Sequence, residues 1–324
     1  MSEFLLELYS EEVPSQLQIN ARVQLKEQFE KCFKEEGIKY KECLEFSNPN
    51  RLTIYVKGIA EKIKVKSKEI RGPKVGVPEN ILQGFAKSHN ISEKKLFKKE
   101  IEKGVFYFIK TKEKNILVED LLVSILPKAI SSISWKKSMK WSTNNLMWGR
   151  PLRSIFAIFN RKKIPFKYHH LESTDNIIIE QDLISKSKKI NGFNDYCTFL
   201  KNNRIILDQK EREKIILKRF SSISKSKNYK DQYNRRLLEE VVNIVEDPNV
   251  LLVNFHKDYL KIPQEIIIST LEKHQRYFPI FDSRERLTNY FFVVANKKDE
   301  KKFITEGNKR VIEARLSDAK FFWE

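Results

Sequence analysis

Apolar positions in the first sixty residues follow two spacings, one typical of strands and one of helices. Residues 4–9, which are apolar except for Glu7, predict a short strand. Ser15 and Gln18 fit a capping box, and Gly37 is a typical helix stop. Between them apolar residues recur at helical spacing, namely Leu17, Ala21, Leu25, Phe29 and Phe33. Residues 51–57 then alternate apolar and polar side chains, which predicts a half-buried strand.

The middle of the chain mixes short elements of both kinds. The tripeptide Arg71-Gly72-Pro73 has the composition of a turn and is a candidate domain boundary. The elements predicted after it are short helices over 79–89 and 92–99, a strand over 105–110, a helix over 121–133 interrupted at Pro127, and a buried strand over 156–159.

The second half begins with a polar, lysine-rich stretch and continues with mixed elements. Residues 181–235 carry one or two helices, of which 207–220 is the clearest. The later predictions are strands over 241–245 and 250–253 around the turn Asp247-Pro248, a helix from Pro263 to about Tyr277, a strand over 290–295, and a final helix with Ile312, Leu316, Ala319 and Trp323 on one face. Because the elements show no regular βαβ rhythm, the predicted fold class is α+β.

The length and the net charge of the chain indicate the number of domains and the class of partner. A chain of 324 residues suggests two or three mixed domains, which we place at 1–70, 71–160 and 161–324. The formal net charge of +19 favours a polyanionic partner such as RNA or DNA. An AT-rich coding sequence would also raise the lysine content without any functional pressure. The charge alone therefore does not decide the function.

The sequence contains no recognisable motif for nucleotide binding or for a metal site. There is no G-x-x-x-x-G-K-[ST] and no G-x-G-x-x-G loop, and the five histidines lack metal-ligand spacing. We therefore predict no catalytic, cofactor-binding or metal-ligating residues in this chain. The three cysteines show no C-x-x-C spacing, which is typical of reduced thiols. Without a basic N-terminal region or an apolar run of about 18 residues, the protein is expected to be cytoplasmic and free of membrane contacts.

One basic and aromatic segment is a candidate RNA contact. Cations neutralise phosphates, and aromatic faces stack on unpaired bases. The candidate cations lie among Trp135, Trp141 and Trp148, and they are Lys136, Lys137, Lys140, Arg150 and Arg153. The alternative is that the aromatic side chains belong to a core and the cations are merely solvated. These cations are nevertheless expected to matter more than the lysines of 181–235, because packing around the tryptophans would order them before binding.

A second candidate lies near the end of the helix predicted from Pro263. There His274 and Arg276 are candidate RNA contacts, and capping of the helix C-terminus is the alternative for both.

Short motifs along nearly the whole chain resemble the β subunit of bacterial glycyl-tRNA synthetase. Any one of them is weak, but about ten in the same order are highly specific. In the first half they are LLELYSEEVP at 5–14, PNRL at 49–52, RGP at 71–73, GFA at 84–86, KSMKW at 137–141 and RPLR at 150–153. In the second half they are EEV at 239–241, VEDP at 245–248, EKHQRYFP at 272–279, VAN at 294–296, GNKRV at 307–311 and ARLSDAKFF at 314–322.

This resemblance implies the tRNA-binding subunit of a glycine–tRNA ligase, in which the catalytic site lies on the α subunit. It implies aminoacylation of tRNA(Gly), an α2β2 assembly, and ATP and Mg on the α subunit, with this chain contributing RNA binding and assembly. A free-standing RNA-binding module and an assembly scaffold without RNA affinity remain alternatives.

The chain departs from the family pattern in two places. Residues 169–174 (HHLEST) stand where the family has an "SG…T.GHRF" element. The family's HD-type and anticodon-binding regions would lie beyond residue 324, and the final amphipathic pattern has no stop signal, so a truncated chain is expected.

Overall fold

The computed structural model describes residues 2–65, 69–89, 92–101, 104–110, 113–181 and 184–324. The chain forms two compact units. The first comprises Met1–Ile59 with Ile125–Glu324, and the second comprises Ala60–Ser124. This division differs from the segments 1–70, 71–160 and 161–324, because strands near residues 6, 54 and 156 pair in one sheet.

Eight α-helices lie in the described residues, in part joined by 3-10 and π turns. They are α1 (Ser15–Glu36), α2 (Glu79–Ser88), α3 (Val118–Ser131), α4 (Phe193–Asn202), α5 (Gln209–Lys227), α6 (Arg235–Ile244), α7 (Gln264–Ser269) and α8 (Phe303–Trp323). The 3-10 turns span Glu93–Lys95 and Lys257–Lys261, and a π turn over Thr270–His274 follows α7.

The strands are short and belong to several sheets, which makes the protein α+β, as predicted. They are β1 (Glu3–Ser10), β2 (Glu42–Asn48), β3 (Arg51–Lys57), β4 (Lys62–Val65), β5 (Glu69–Lys74), β6 (Leu96–Ile101), β7 (Gly104–Lys110), β8 (Lys114–Leu117), β9 (Met139–Lys140), β10 (Met147–Trp148), β11 (Leu152–Phe159), β12 (Lys162–Lys163), β13 (Lys167–Tyr168), β14 (Leu171–Thr174), β15 (Asn176–Gln181), β16 (Ile184–Lys189), β17 (Asn249–Asn254), β18 (Phe278–Phe281) and β19 (Leu287–Ala295).

The largest sheet of the first unit has the order β13-β14-β11-β1-β3-β2, with β12 added beside β11. Its pairs are antiparallel except for β11 and β14, which run parallel. The central strand β1 is covered on both faces: Phe4 packs on Phe29 of α1, and Leu5 joins a cluster that contains Tyr196 of α4. This explains why residues 4–9 are apolar apart from Glu7, and the predicted strand is confirmed. The strand predicted over 51–57 is confirmed as β3, but it is not half-buried, because residues 51–56 are all buried.

Helix α1 spans the predicted residues, but its start is built differently. Pro14 occupies the N-cap position without a side-chain hydrogen bond, so the capping box of Ser15 and Gln18 is wrong. The buried amide of Gln18 instead donates from Nε2 to the carbonyl oxygens of Val13 (2.6 Å) and Asn243 (2.9 Å). At the other end Gly37 takes a left-handed conformation with φ of 72°, as predicted.

Five further predictions need correction. Residues 241–244 lie in α6 rather than in a strand, because the side chain of Asn234 caps a helix whose Leu237, Leu238, Val241 and Val242 face one core. Helix α3 continues through Pro127. The helix after Pro263 ends before Tyr277, and residues 96–99 extend a sheet as β6. Arg71-Gly72-Pro73 lies within β5, whose pairing with β7 shifts register there, so it is not a turn.

A second sheet of the first unit, β17-β19-β18, separates two apolar clusters. On one face Phe292 stacks on Phe220 of α5, with ring centroids 4.5 Å apart. On the other face Phe291 joins Ile312 and Leu316, which are the buried residues of α8. Trp323, which the pattern places on the same helical face, is 59% exposed.

The second unit has its own small sheets, β5-β7-β6 and β4-β8. The guanidinium of Arg71 lies 3.7 Å from the centroid of the Phe106 ring. Gly72 is required by close packing, since a Cβ atom at this position would lie 2.4 Å from the ring of Phe85. Among the described helices of the whole chain, none has the length and apolar composition to cross a bilayer.

A buried ion pair lies where β1 and β3 meet. Arg51 donates from Nε to Glu7 at 3.0 Å and from Nη2 to the carbonyl of Ile178 at 2.7 Å, while its Nη1 lies 3.5 Å from Glu246. Tyr196 also donates its hydroxyl to Glu7. Burial raises the pKa of Glu7, and the positive charge of Arg51 opposes that rise.

Arg51→Met should lower the free energy of unfolding by about 3–5 kcal/mol, because Glu7 would be left buried and unpaired. Without Arg51 the folded-state pKa of Glu7 rises further above its unfolded value. The loss relative to the wild type should therefore be small near pH 4 and grow as the pH rises. Urea unfolding of the chain at several pH values measures this. Arg235→Gln, which breaks an exposed pair with Glu213, should cost roughly 0–1 kcal/mol. If Arg51→Met and Arg235→Gln lowered the free energy of unfolding equally, the interpretation that burial makes the Arg51–Glu7 pair important would be wrong.

Candidate nucleic-acid interface

The basic segment forms a small hairpin of β9 and β10, and two tryptophans attach it to the first unit. The rings of Trp135 and Trp148 meet edge to face with centroids 4.9 Å apart. Trp148 also donates from Nε1 to Ser10 Oγ at 3.1 Å. Gly149 makes this packing possible, because a Cβ atom there would lie 2.4 Å from the Trp135 ring. These two tryptophans therefore hold the hairpin in place.

The register of the hairpin separates its side chains onto two faces. Lys140 pairs with Met147, and Met139 pairs with the buried Trp148. Directly opposite residues of an antiparallel pair share a face, so Lys140 and Met147 point away from the core. We call this the outer face of the hairpin.

The three predicted lysines are exposed and form no ion pair with any described carboxylate. Lys136 and Lys137 lie just before β9, and they are exposed like Lys140. Among the described residues no ion pair includes any of the three, as every such pair involves other cations. All three ammonium groups are thus available to phosphates.

The two predicted arginines lie elsewhere, in a cleft of about 570 Å³ that we call the hairpin cleft. Its walls come from the end of β1, the turn between β2 and β3, the start of β11, and the hairpin. Backbone hydrogen bonds join these segments, for example from Glu11 to Pro151 (3.0 Å) and from Ser10 to Asn50 (2.7 Å). The lining residues are Tyr9, Ser10, Glu11, Glu12, Asn50, Met139, Trp141, Arg150, Pro151, Arg153 and Glu180.

Carboxylates share this cleft with the arginines. Arg153 donates from Nη1 to Glu180 at 2.5 Å, and Arg150 Nη1 lies 3.8 Å from the sulfur of Met139. Glu11 and Glu12 are exposed, and no ion pair of the described residues includes them. Of the five predicted cations, the three lysines are therefore outside any described ion pair, and the two arginines share a cleft with carboxylates. Sequence spacing missed this, because Glu11 and Glu180 are far from the arginines along the chain.

The two residues of the second predicted pair, His274 and Arg276, differ in their contacts. Arg276 donates from Nε to Glu240 at 2.9 Å and from Nη1 to the carbonyl of Lys273. Its backbone has a φ of 58° directly after the π turn. The helix-end alternative therefore describes Arg276 well, while His274 is exposed.

The lysines of residues 184–189 are partly used within the protein. Lys188 binds Asp195 at 2.6 Å and Lys189 binds Asp175 at 2.8 Å. These hydrogen bonds lower the pKa of both aspartates. Residues 182–183 lie outside the described residues.

Burial affects the thiols of Cys43 and Cys197. Burial raises the pKa of Cys43 to about 12 and that of Cys197 to about 11, so both thiols are protonated near neutral pH. Within the described ranges no group of three His, Cys, Asp or Glu side chains could hold a metal ion.

Comparison with known proteins gives a consistent result. A family model described as "Glycyl-tRNA synthetase beta subunit" matches residues 4–324. The glycine–tRNA ligase beta subunit of Rickettsia felis is 35% identical over 327 residues, which covers 100% of this chain and 49% of the relative. Those of Rickettsia bellii and Rickettsia typhi are each 36% identical over 326 residues, with the same coverage. The chain spans about half the length of the curated relatives it matches. A match over nearly the whole chain, together with this identity, shows that the chain belongs to the glycyl-tRNA synthetase beta subunit family.

Proposed function

We propose that this chain is the part of a heteromeric glycine–tRNA ligase that binds tRNA(Gly) and assembles with the α subunit, where glycyl-adenylate forms. The observation that carries the RNA-binding proposal is the outer face of the hairpin. Lys140 lies on that face, Lys136 and Lys137 directly precede the hairpin, and all three are exposed and outside any described ion pair beside Trp135 and Trp148. Phosphate binding to such lysines releases counterions, and the anchored backbone reduces the entropy lost on binding.

Family membership supports the remaining parts of the proposal. We place ATP and Mg on the α subunit, the assembly as α2β2, and the working compartment as the cytoplasm.

Two other functions make different predictions about binding. A free-standing RNA-binding module would bind RNA and show no affinity for an α subunit. An assembly scaffold would bind the α subunit and show no salt-sensitive affinity for RNA. Titration of the chain with tRNA(Gly) and, separately, with purified α subunit distinguishes all three.

The triple variant Lys136→Gln, Lys137→Gln, Lys140→Gln should bind tRNA(Gly) more weakly than the wild type. Each lost phosphate contact should also reduce the slope of log K against log salt by about 0.7–0.9. The matched control is Lys214→Gln, Lys218→Gln, Lys225→Gln, which removes three exposed lysines of α5. Fluorescence anisotropy at several salt concentrations measures both quantities. A control variant that loses as much affinity and slope would mean that only the total charge matters.

The chain alone should catalyse no glycine-dependent ATP–pyrophosphate exchange, because it has no recognisable phosphate-binding loop. Exchange should appear with the purified α subunit. The assay with the chain alone, at an enzyme concentration that detects the complex, checks this, and measurable exchange there would contradict the placement of the active site.

A further inference from the structure

We propose that the hairpin cleft binds a basic side chain of the α subunit, and not RNA. This inference rests on the proposed function, and it adds that partner and RNA use opposite faces of one hairpin. The occupant is a protein segment that presents an arginine or lysine next to an apolar residue.

The charge of the cleft argues against a phosphate occupant. Its lining contains two arginines and three glutamates, so its formal charge is −1. Arg153 and Glu180 neutralise each other, which leaves Arg150 against Glu11 and Glu12. A phosphate near Arg150 would also approach these carboxylates, and like charges at short distance repel. A cation is attracted to the same two groups.

The apolar part of the cleft indicates that the cation belongs to a protein. The ring of Trp141 is 47% exposed and Met139 is 39% exposed, although both are large apolar residues. Tryptophan is the best aromatic partner of a guanidinium or ammonium group. Exposed Trp, Met and Arg side chains together are typical of the energetically important centre of a protein interface.

The cleft lies on only one side of the hairpin, opposite the outer face. Met139 lines the cleft, while Lys140, the next residue, points to the outer face. The cleft of about 570 Å³ has room for a cationic side chain and an apolar neighbour. Partner and RNA can therefore be bound by the same hairpin at the same time.

The experiment compares affinities of the full chain for purified α subunit, by calorimetry, and for tRNA(Gly), by anisotropy. Trp141→Ala should weaken α-subunit binding about tenfold or more, whereas Trp141→Phe retains the aromatic face and most of the affinity. The double variant Glu11→Lys, Glu12→Lys should also weaken it more than about tenfold, because the partner cation would meet like charges. Its affinity for tRNA should stay equal or increase, since the change adds positive charge.

Two matched controls separate the cleft from general charge and from the outer face. Glu35→Lys, Glu36→Lys adds the same charge at the exposed end of α1 and should leave α-subunit binding unchanged. The triple variant Lys136→Gln, Lys137→Gln, Lys140→Gln should weaken tRNA binding alone.

The proposal is overturned by unchanged α-subunit affinity in the Glu11→Lys, Glu12→Lys variant, or by a loss of tRNA affinity in Trp141→Ala as large as in the lysine variant. It is also overturned if the wild-type chain binds tRNA but not the α subunit, in which case the RNA part of the proposed function still stands. If the wild-type chain instead shows no salt-sensitive binding of tRNA(Gly), the RNA-binding part of the proposed function is refuted. The cleft variants would still decide whether the α subunit docks in the cleft.

Discussion

Burial of the Arg51 guanidinium constrains much of the first unit. Removing an arginine from water costs several kcal/mol, which is offset only if its donors are satisfied with good geometry. Here the partners come from separate segments: Glu7 on β1, the carbonyl of Ile178 on β15, and Glu246 after α6. Burial alone would lower the pKa of Arg51, but these carboxylates outweigh it and raise the pKa. The three segments must therefore be placed together or the charge is left uncompensated.

A second buried arginine extends the same constraint to the α5 and α6 region. Arg212 is fully buried, and its donors reach four backbone carbonyls, including those of Ser47 (2.7 Å) and Val242 (3.0 Å). Burial lowers its pKa to about 10, which still leaves it charged at neutral pH. Because Ser47 lies in β2 and Val242 lies in α6, the large sheet and the helices beside the second sheet are held to one another within the first unit.

Sequence reasoning succeeded where local periodicity decides structure and failed where distant residues decide it. The spacing from Leu17 to Phe33 predicts α1 because one face of that helix is buried. The valines of α6 resembled a strand, since β-branched residues favour strands, and only the cap of Asn234 and the core around Phe220 make them helical. In the same way, the lysines of the candidate interface could be recognised from composition. The glutamates beside Arg150 and Arg153 could not, because β1 and β15 reach them only through folding.

The position of the hairpin follows from the same strand that carries Glu7. Tyr9 and Ser10 continue β1 past the ion pair: the ring of Tyr9 lies 4.8 Å from the Arg51 guanidinium, and Ser10 accepts the hydrogen bond of Trp148. The hairpin is thus connected to the buried charge through only three residues of β1. The alternation of the hairpin directs Lys140 to the outer face, while Met139 lines the cleft in which three glutamates outnumber two arginines. Two faces of opposite character on one anchored element can attract an RNA backbone and a basic protein segment without competition, which neither a uniformly basic loop nor a mobile one would allow.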